Sequence, residues 1–189
     1  MNTAFEKTRA RVQAKARRQD YLNSGEGSAA AISLLSHFPI LRFRRAVIGG
    51  FWPLIGEIDL CPLLFALWEQ GHILSLPCTP RKGRPLTFRE WTPKDQLKAG
   101  PYGTREPTSS APEISPAFVL VPLLAFSPSG ERLGYGGGFY DRTLSELRAQ
   151  GDVFACGAAF AAQETAHIPT DVHDQPLDGI LTDQFFRTF

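Results

Sequence analysis

A chain of 189 residues that is 43% hydrophobic and 21% charged has enough apolar material for one globular core with a cleft, which excludes disorder as its main state. Its net charge of +1 gives no global field for nucleic acid or an anionic membrane, so any anion site must be local. The three widely spaced cysteines, Cys61, Cys78 and Cys156, fit neither a disulfide framework nor a thiolate zinc site and read as reduced thiols.

Residues Thr3 to Tyr21 have few breakers and abundant Ala, Lys and Arg, which predicts a basic helix with a weak apolar stripe. After a break at Asn23-Ser24-Gly25, a second helix is expected over Ser28 to His37. Ala46 to Phe51 is short and β-prone and ends at Trp52-Pro53, so it reads as a buried strand opening into a loop. Asp59 can cap a helix running through Leu63, Leu64, Leu67 and Trp68 to a stop at Gly71, and Ile73 to Leu76 supplies the next strand. Strand, helix, strand is the rhythm of a parallel α/β sheet.

Pro85 to Trp91 alternates as a strand, and Thr92 to Ser115 is a loop long enough to imply function or mobility. Phe118 to Val121 is a strand leading through Ser127-Pro128-Ser129-Gly130 into a glycine-rich segment, and Asp141, Leu144, Leu147 and Arg148 then follow helical spacing. Val153 to Ala161 and Gly179 to Leu181 are the final strands. The order predicts an α/β fold: a single-domain three-layer sandwich over residues 1–189 with a mostly parallel sheet, and the basic helix of residues 1–21 packed on it. The longest apolar run, Pro116 to Phe126, contains two prolines and is too short for a membrane span, and no signal-peptide core follows the N-terminus, so a soluble, cytoplasmic protein is expected.

The most informative run is Arg132-Leu133-Gly134-Tyr135-Gly136-Gly137-Gly138-Phe139-Tyr140-Asp141-Arg142. Glycine at four of the five positions from 134 to 138 lets backbone amides face a bulky anion, and the following helix adds its positive end. Arg132 can add a charged donor, and Asp141 can hold the divalent ion that accompanies a nucleotide. The spacing matches neither the P-loop nor the dinucleotide fingerprint, and on glycine count alone a flexible turn fits as well as a phosphate site.

As a whole, that run resembles the signature of the 5-formyltetrahydrofolate cyclo-ligase family, also called methenyltetrahydrofolate synthetases. Val121-Pro122-Leu123-Leu124-Ala125-Phe126 is similar to the family's approach strand, and Tyr102 to Pro107 to its Glu-Pro loop. Gly157 to Gln163, and Ile168-Pro169 through His173-Asp174 to Asp183, resemble its closing segments. The resemblance implies that Arg132, Leu133, Gly134, Tyr135, Gly136, Gly137, Gly138, Phe139 and Tyr140 wrap the phosphates of ATP, with Arg132 and Tyr140 in catalytic positions. It implies that Asp141 and Asp174 bind Mg2+, and that Lys7 and Arg11 clamp the nucleotide. Trp52, Glu57 and Glu106, with Tyr135 to Phe139, fall where the family meets its reduced folate. Residue type alone favours the plainer readings: Asp174 as a turn aspartate, Lys7 and Arg11 as a solvated basic face, and Trp52 and Glu57 as a core edge and a surface acid. Two departures stand out: Ser127 where relatives commonly have Asp, and Gly137 where some have Lys.

The activity implied is ATP- and Mg-dependent closure of 5-formyltetrahydrofolate to 5,10-methenyltetrahydrofolate by a monomer whose partners are small molecules, not nucleic acid or a membrane. Phosphoryl chemistry of that kind needs positioned cations rather than a nucleophilic side chain, so His72, His167 and His173 receive no role. Two alternatives stay open on sequence: a non-catalytic nucleotide- or RNA-binding module, and a related ligase acting on another formylated heterocycle.

Overall fold

The computed structural model describes residues 3–43 and 46–189. Helix α1 (Thr3–Asn23) and α2 (Ala30–His37) precede strand β1 (Ile48–Gly49), α3 (Cys61–Glu69), β2 (Leu74–Cys78) and β3 (Thr87–Glu90). A small hairpin follows, β4 (Lys98–Ala99) with β5 (Arg105–Glu106), and then β6 (Phe118–Pro122). A second hairpin of β7 (Ala125–Phe126) and β8 (Arg132–Leu133) leads to α4 (Phe139–Gln150), β9 (Phe154–Ala159), β10 (Gly179–Thr182) and β11 (Phe186–Thr188).

The large sheet has seven strands in the order β11-β10-β9-β6-β1-β2-β3. Its five inner strands are parallel, and the two outer ones, β3 and β11, run antiparallel to their neighbours. Alternation along β6 divides the core between two faces. Phe118 and Leu120 join α2 and α3 through Leu34, Leu63, Leu64 and Leu67, whereas Val119 and Val121 join α4 through Leu144. Helices therefore cover both faces, giving three layers. Each of these fully buried leucine and phenylalanine side chains contributes roughly 1.5–3 kcal/mol of transfer free energy.

Local chemistry explains where the elements stop. Asp59 Oδ1 accepts the Cys61 amide at 2.9 Å and Pro62 sits in the first turn of α3, while Gly71 takes φ +85° just beyond its end. The strand expected over Ala46 to Phe51 pairs only at Ile48–Gly49. After Gly50, whose amide donates to Ser75 O at 2.8 Å, the chain leaves the sheet toward Pro53, which cannot donate to a ladder. The loop expected over Thr92 to Ser115 contains the β4–β5 hairpin, and β11 and the β7–β8 hairpin join the expected elements.

Helix α1 docks through both apolar and polar contacts. Ala14 and Lys7 are its buried residues, and Ala14, with Ala10 beside it, packs on Leu124, Leu133 and Ile168 over the β7–β8 hairpin. Toward its other end Tyr21 and Leu22 pack against the main core, the Tyr21 ring 5.2 Å from that of Phe160. Lys7, Arg11 and Arg18, which share one stripe at i, i+4 and i+11, add polar contacts.

Chain direction fixes where a ligand belongs. From β1 the sheet is extended one way through α3 to β2 and β3, and the other way from β6 through α4 to β9 and β10. Such a reversal opens a crevice beyond the carboxyl ends of the central strands. The Trp52–Glu57 loop after β1 and the segment from β6 to the glycine run leave the sheet at that end, and the β4–β5 hairpin is tied there by Glu106, whose Oε1 accepts the Thr79 amide just beyond β2.

Candidate active site

The β7–β8 hairpin aims the glycine segment at the head of α4. Leu124 N donates to Leu133 O at 2.7 Å, and the turn closes through Gly130 at φ +88°. Gly136 at φ +96° and Gly138 at φ +63° hold left-handed conformations that side chains resist, so the backbone from 136 to 138 curves without a covering Cβ. Gly138 is also the N-cap of α4, placing the positive end of a 12-residue helix beneath the loop.

Cations surround this loop from two directions. Arg11 Nε donates to Gly134 O at 2.9 Å and its guanidinium lies over Gly136. Arg142, on α4, donates to Gly137 O at 2.7 Å, bringing positive charge beside the loop. Lys7 Nζ reaches Asp171 at 2.7 Å and Asp174 at 2.5 Å. Burial alone would lower the Lys7 ammonium, but the two carboxylates outweigh it and the pKa rises. The hydrogen bond from Lys7 lowers that of Asp171.

Arg132 and Asp141 form a second pair. The Arg132 side chain is 4% exposed, pairs with Asp141 Oδ1 and donates to Gln175 O. Asp141, in the first turn of α4, also accepts the Gln175 amide at 3.1 Å. Asp141 thus touches Gln175, the residue that follows Asp174, the other aspartate expected to hold magnesium. Among the described residues no group of three or more His, Cys, Asp or Glu is arranged to hold a metal. Two carboxylates fit magnesium, which is held by one or two of them with water and substrate phosphate completing its shell.

The opposite wall is built from side chains. Trp52 meets Trp91 edge-on at 6.0 Å. Glu57 Oε2 accepts the Leu54 amide at 2.8 Å, and its Oε1 accepts the Tyr135 hydroxyl at 2.5 Å. Burial raises the Glu57 pKa, opposed by the hydrogen bonds from Tyr135 and Leu54 and by the charge of Arg18. The Tyr140 phenol is pushed far up, chiefly by burial and then by the charge of Glu57, so it remains a neutral donor. Phe139 lies 6.1 Å from Tyr102 of the hairpin. Glu106 is buried, and its Oε1 accepts the Thr79 amide at 2.9 Å and the Thr104 hydroxyl at 3.0 Å, so it pins the hairpin to the end of β2.

A profile of the 5-formyltetrahydrofolate cyclo-ligase family matches residues 5–183. The chain belongs to that family. It is 30% identical to the 5-formyltetrahydrofolate cyclo-ligase of Escherichia coli K12 over 161 residues, covering 82% of this chain and 87% of the relative. The Haemophilus influenzae cyclo-ligase is 34% identical over 131 residues, 67% of this chain and 70% of its own. The solved 5,10-methenyltetrahydrofolate synthetase of Aquifex aeolicus superposes with a TM-score of 0.75 at 26% identity, over 96% of this chain and 92% of that one.

Within this cyclo-ligase chain the structure links Arg11 to the glycine segment, Arg132 to Asp141 and Lys7 to Asp174, and the segment's own Tyr135 reaches across to Glu57. Sequence reasoning missed Arg18, Arg142, Asp171 and Gln175. Arg18 continues the helical period of Lys7 and Arg11, so a signal for it existed; Asp171 and Gln175 had none beyond their nearness to Asp174. The thiols are poor nucleophiles: Cys61 is pushed up to about 12, chiefly by burial and then by Asp59. Cavities of about 510 and 250 Å3 lie elsewhere, against Phe43 and Phe154 and beside Phe88 and Thr143. No helix among the described residues is long and apolar enough to cross a membrane.

Proposed function

We propose that this chain closes 5-formyltetrahydrofolate to 5,10-methenyltetrahydrofolate, using Mg-ATP held on the backbone of Gly134 to Gly138. The carrying observation is the juxtaposition of a Cβ-poor loop at a helix N-terminus with Arg11 on one side and the Glu57–Tyr135 pair on the other. Ring closure is the reaction named for the family to which the chain belongs.

The formyl oxygen is a poor leaving group. Its attack on the γ-phosphorus releases ADP and leaves an activated imidate; nitrogen 10 then adds to the carbon, loses its proton and expels phosphate. No covalent enzyme intermediate is needed, and the protein positions two reactants while stabilising phosphoryl charge. Amides of the glycine segment and the head of α4 face the phosphates, and Lys7 and Arg11 cover them from α1. Arg132 and Tyr140 supply a cationic and a neutral donor at the transferring group. Asp141 and Asp174 are the residues that would hold magnesium, which would supply neutralisation of phosphate charge. Trp52 offers a flat wall, and Glu57 accepts from ring N–H groups of the pterin. Glu106 acts through the hairpin it holds. We read the protein as a cytoplasmic monomer, one unit over residues 1–189 acting on small molecules, in keeping with its net charge of +1.

The test is to mix purified protein with 5-formyltetrahydrofolate and Mg-ATP and to follow the near-ultraviolet absorbance of the methenyl product. Growth of that band only when nucleotide, metal and folate are all present supports the assignment. A flat trace with all three present refutes it.

A further inference from the structure

The inner stripe of α1 holds a third cation that the roles above leave unused. Arg18 stands at i+7 from Arg11 and i+4 from the buried Ala14. Its Nη1 donates to the Tyr135 hydroxyl at 2.8 Å, and that hydroxyl donates to Glu57 Oε1 at 2.5 Å. Its guanidinium also lies 5.9 Å from the Tyr135 ring centre. The backbone at Gly56 packs beneath it, for a Cβ there would stand 3.6 Å from Arg18 Nη2. One side chain of α1 therefore reaches both the glycine segment and the loop after β1.

The direction of this chain of hydrogen bonds follows from donor counts. A guanidinium offers only donors. The phenol oxygen facing Arg18 must accept, so its single proton is turned to the carboxylate. Leu54 N fixes the other oxygen of Glu57. Glu57 is then held from two sides, one oxygen by Leu54 N and the other by the Tyr135 hydroxyl. Without Arg18 the phenol keeps its bond to Glu57 but loses the donor that fixes its oxygen from the other side.

We propose that Arg18 is a positioning residue for the folate half of the site, orienting Tyr135 and, through it, the Glu57 carboxylate that accepts from the pterin ring. This rests on the assignment of Glu57 to the folate. Arg18 does not touch the reacting atoms; it sets the geometry of groups that meet the substrate. The charge of Arg18 also opposes the rise that burial imposes on Glu57, which favours the ionised acceptor.

The experiment uses the full chain and two calorimetric titrations, 5-formyltetrahydrofolate without nucleotide and Mg-ATP without folate. Arg18→Met keeps the apolar stem and removes the donors. Losing a charge-assisted hydrogen bond predicts folate affinity lower by about tenfold. Mg-ATP affinity should stay within about twofold of the unaltered protein, because Arg11 and the loop amides remain. Arg18→Lys, a point charge without the planar fork, should recover part of the loss. The combination of Arg18→Met with Tyr135→Phe should bind folate no more weakly than Tyr135→Phe alone, since both remove one relay. A merely structural Arg18 would weaken both ligands alike or add fully to Tyr135→Phe, and either result overturns the proposal. So does unchanged folate affinity in Arg18→Met. If the unaltered protein bound Mg-ATP but no 5-formyltetrahydrofolate, the assignment of Glu57 would fall first, and this proposal with it.

Discussion

The two halves of the site are built from different materials. The half proposed for the nucleotide is backbone: a loop with Gly136 and Gly138 at positive φ, the first turn of α4, and cations laid over it. The half proposed for the folate is side chain: Trp52 on Trp91, and Glu57 fixed by Leu54 N and by Tyr135 under Arg18. A backbone cradle tolerates changes of neighbouring side chains but not an added Cβ. A side-chain wall tolerates none of its hydrogen-bond partners being lost. Substitutions should therefore separate the halves, each damaging one ligand far more than the other.

The largest effect is expected where metal, nucleotide and fold meet. Asp141→Asn should lower kcat on the order of a hundredfold or more by weakening the metal site, measured by methenyl absorbance at saturating folate. Asp141→Ala should also lower Tm. Asp141 is the carboxylate partner of an almost fully buried Arg132, and its removal strands that charge. Activity equal to the parent in Asp141→Asn would break the metal assignment.

Gly136→Val comes next. A β-branched residue at φ +96° is strained, and the nearest atoms to a new Cβ are those of Arg11 at 3.3–3.5 Å. Mg-ATP affinity should fall at least about tenfold while folate affinity measured alone changes less. Equal losses for the two ligands would blur the division between halves.

A smaller and opposite signature is expected from Glu57→Gln: folate affinity down by about tenfold, nucleotide affinity nearly unchanged. Burial, partly offset by Tyr135, Leu54 and Arg18, holds the Glu57 pKa above the ordinary carboxylate value of 4.5. Folate binding that needs the ionised form should therefore weaken as pH falls through that raised value, and Glu57→Gln should flatten this limb. A pH limb that persists in Glu57→Gln would point to another group.

The smallest effect concerns the anchoring of α1. Asp171, with a lowered pKa, favours the folded state above its unfolded value and loses that contribution only as pH falls through the depressed folded value. Lys7, with a raised pKa, contributes fully below its unfolded 10.5 and loses this as pH rises through the higher folded value. Amide hydrogen exchange of residues 3–21 should thus show constant relative protection between these limits once corrected for intrinsic rates. Asp171→Asn should loosen the helix modestly, with a Tm change within a few degrees, because the pair is partly exposed. A sharp loss of α1 protection near neutral pH would show that another group anchors the helix.

How much was readable in the sequence depended on the range of the interaction. Strands β6 and β9 were plain because they are buried on both faces and read as continuous apolar runs. The two-residue ladders of β4 with β5 and β7 with β8 are too short for any periodicity, and β11 is three residues beyond a turn. The glycine segment was legible as a local motif carrying a family resemblance. The partners of its neighbours were not, since Lys7 and Asp171 are 164 residues apart and only folding brings them together. Arg18 lay between these cases: the helical period pointed to the stripe, but nothing local showed that the stripe would meet Tyr135.

The most direct test of the whole account is a crystal structure with magnesium, a non-hydrolysable ATP analogue and 5-formyltetrahydrofolate bound together. The account predicts the phosphates within hydrogen-bond distance of the amides from Gly134 to Gly138, the metal on Asp141 and Asp174, and the pterin against Glu57. Phosphates seated anywhere else, with the glycine segment facing open solvent, would contradict it.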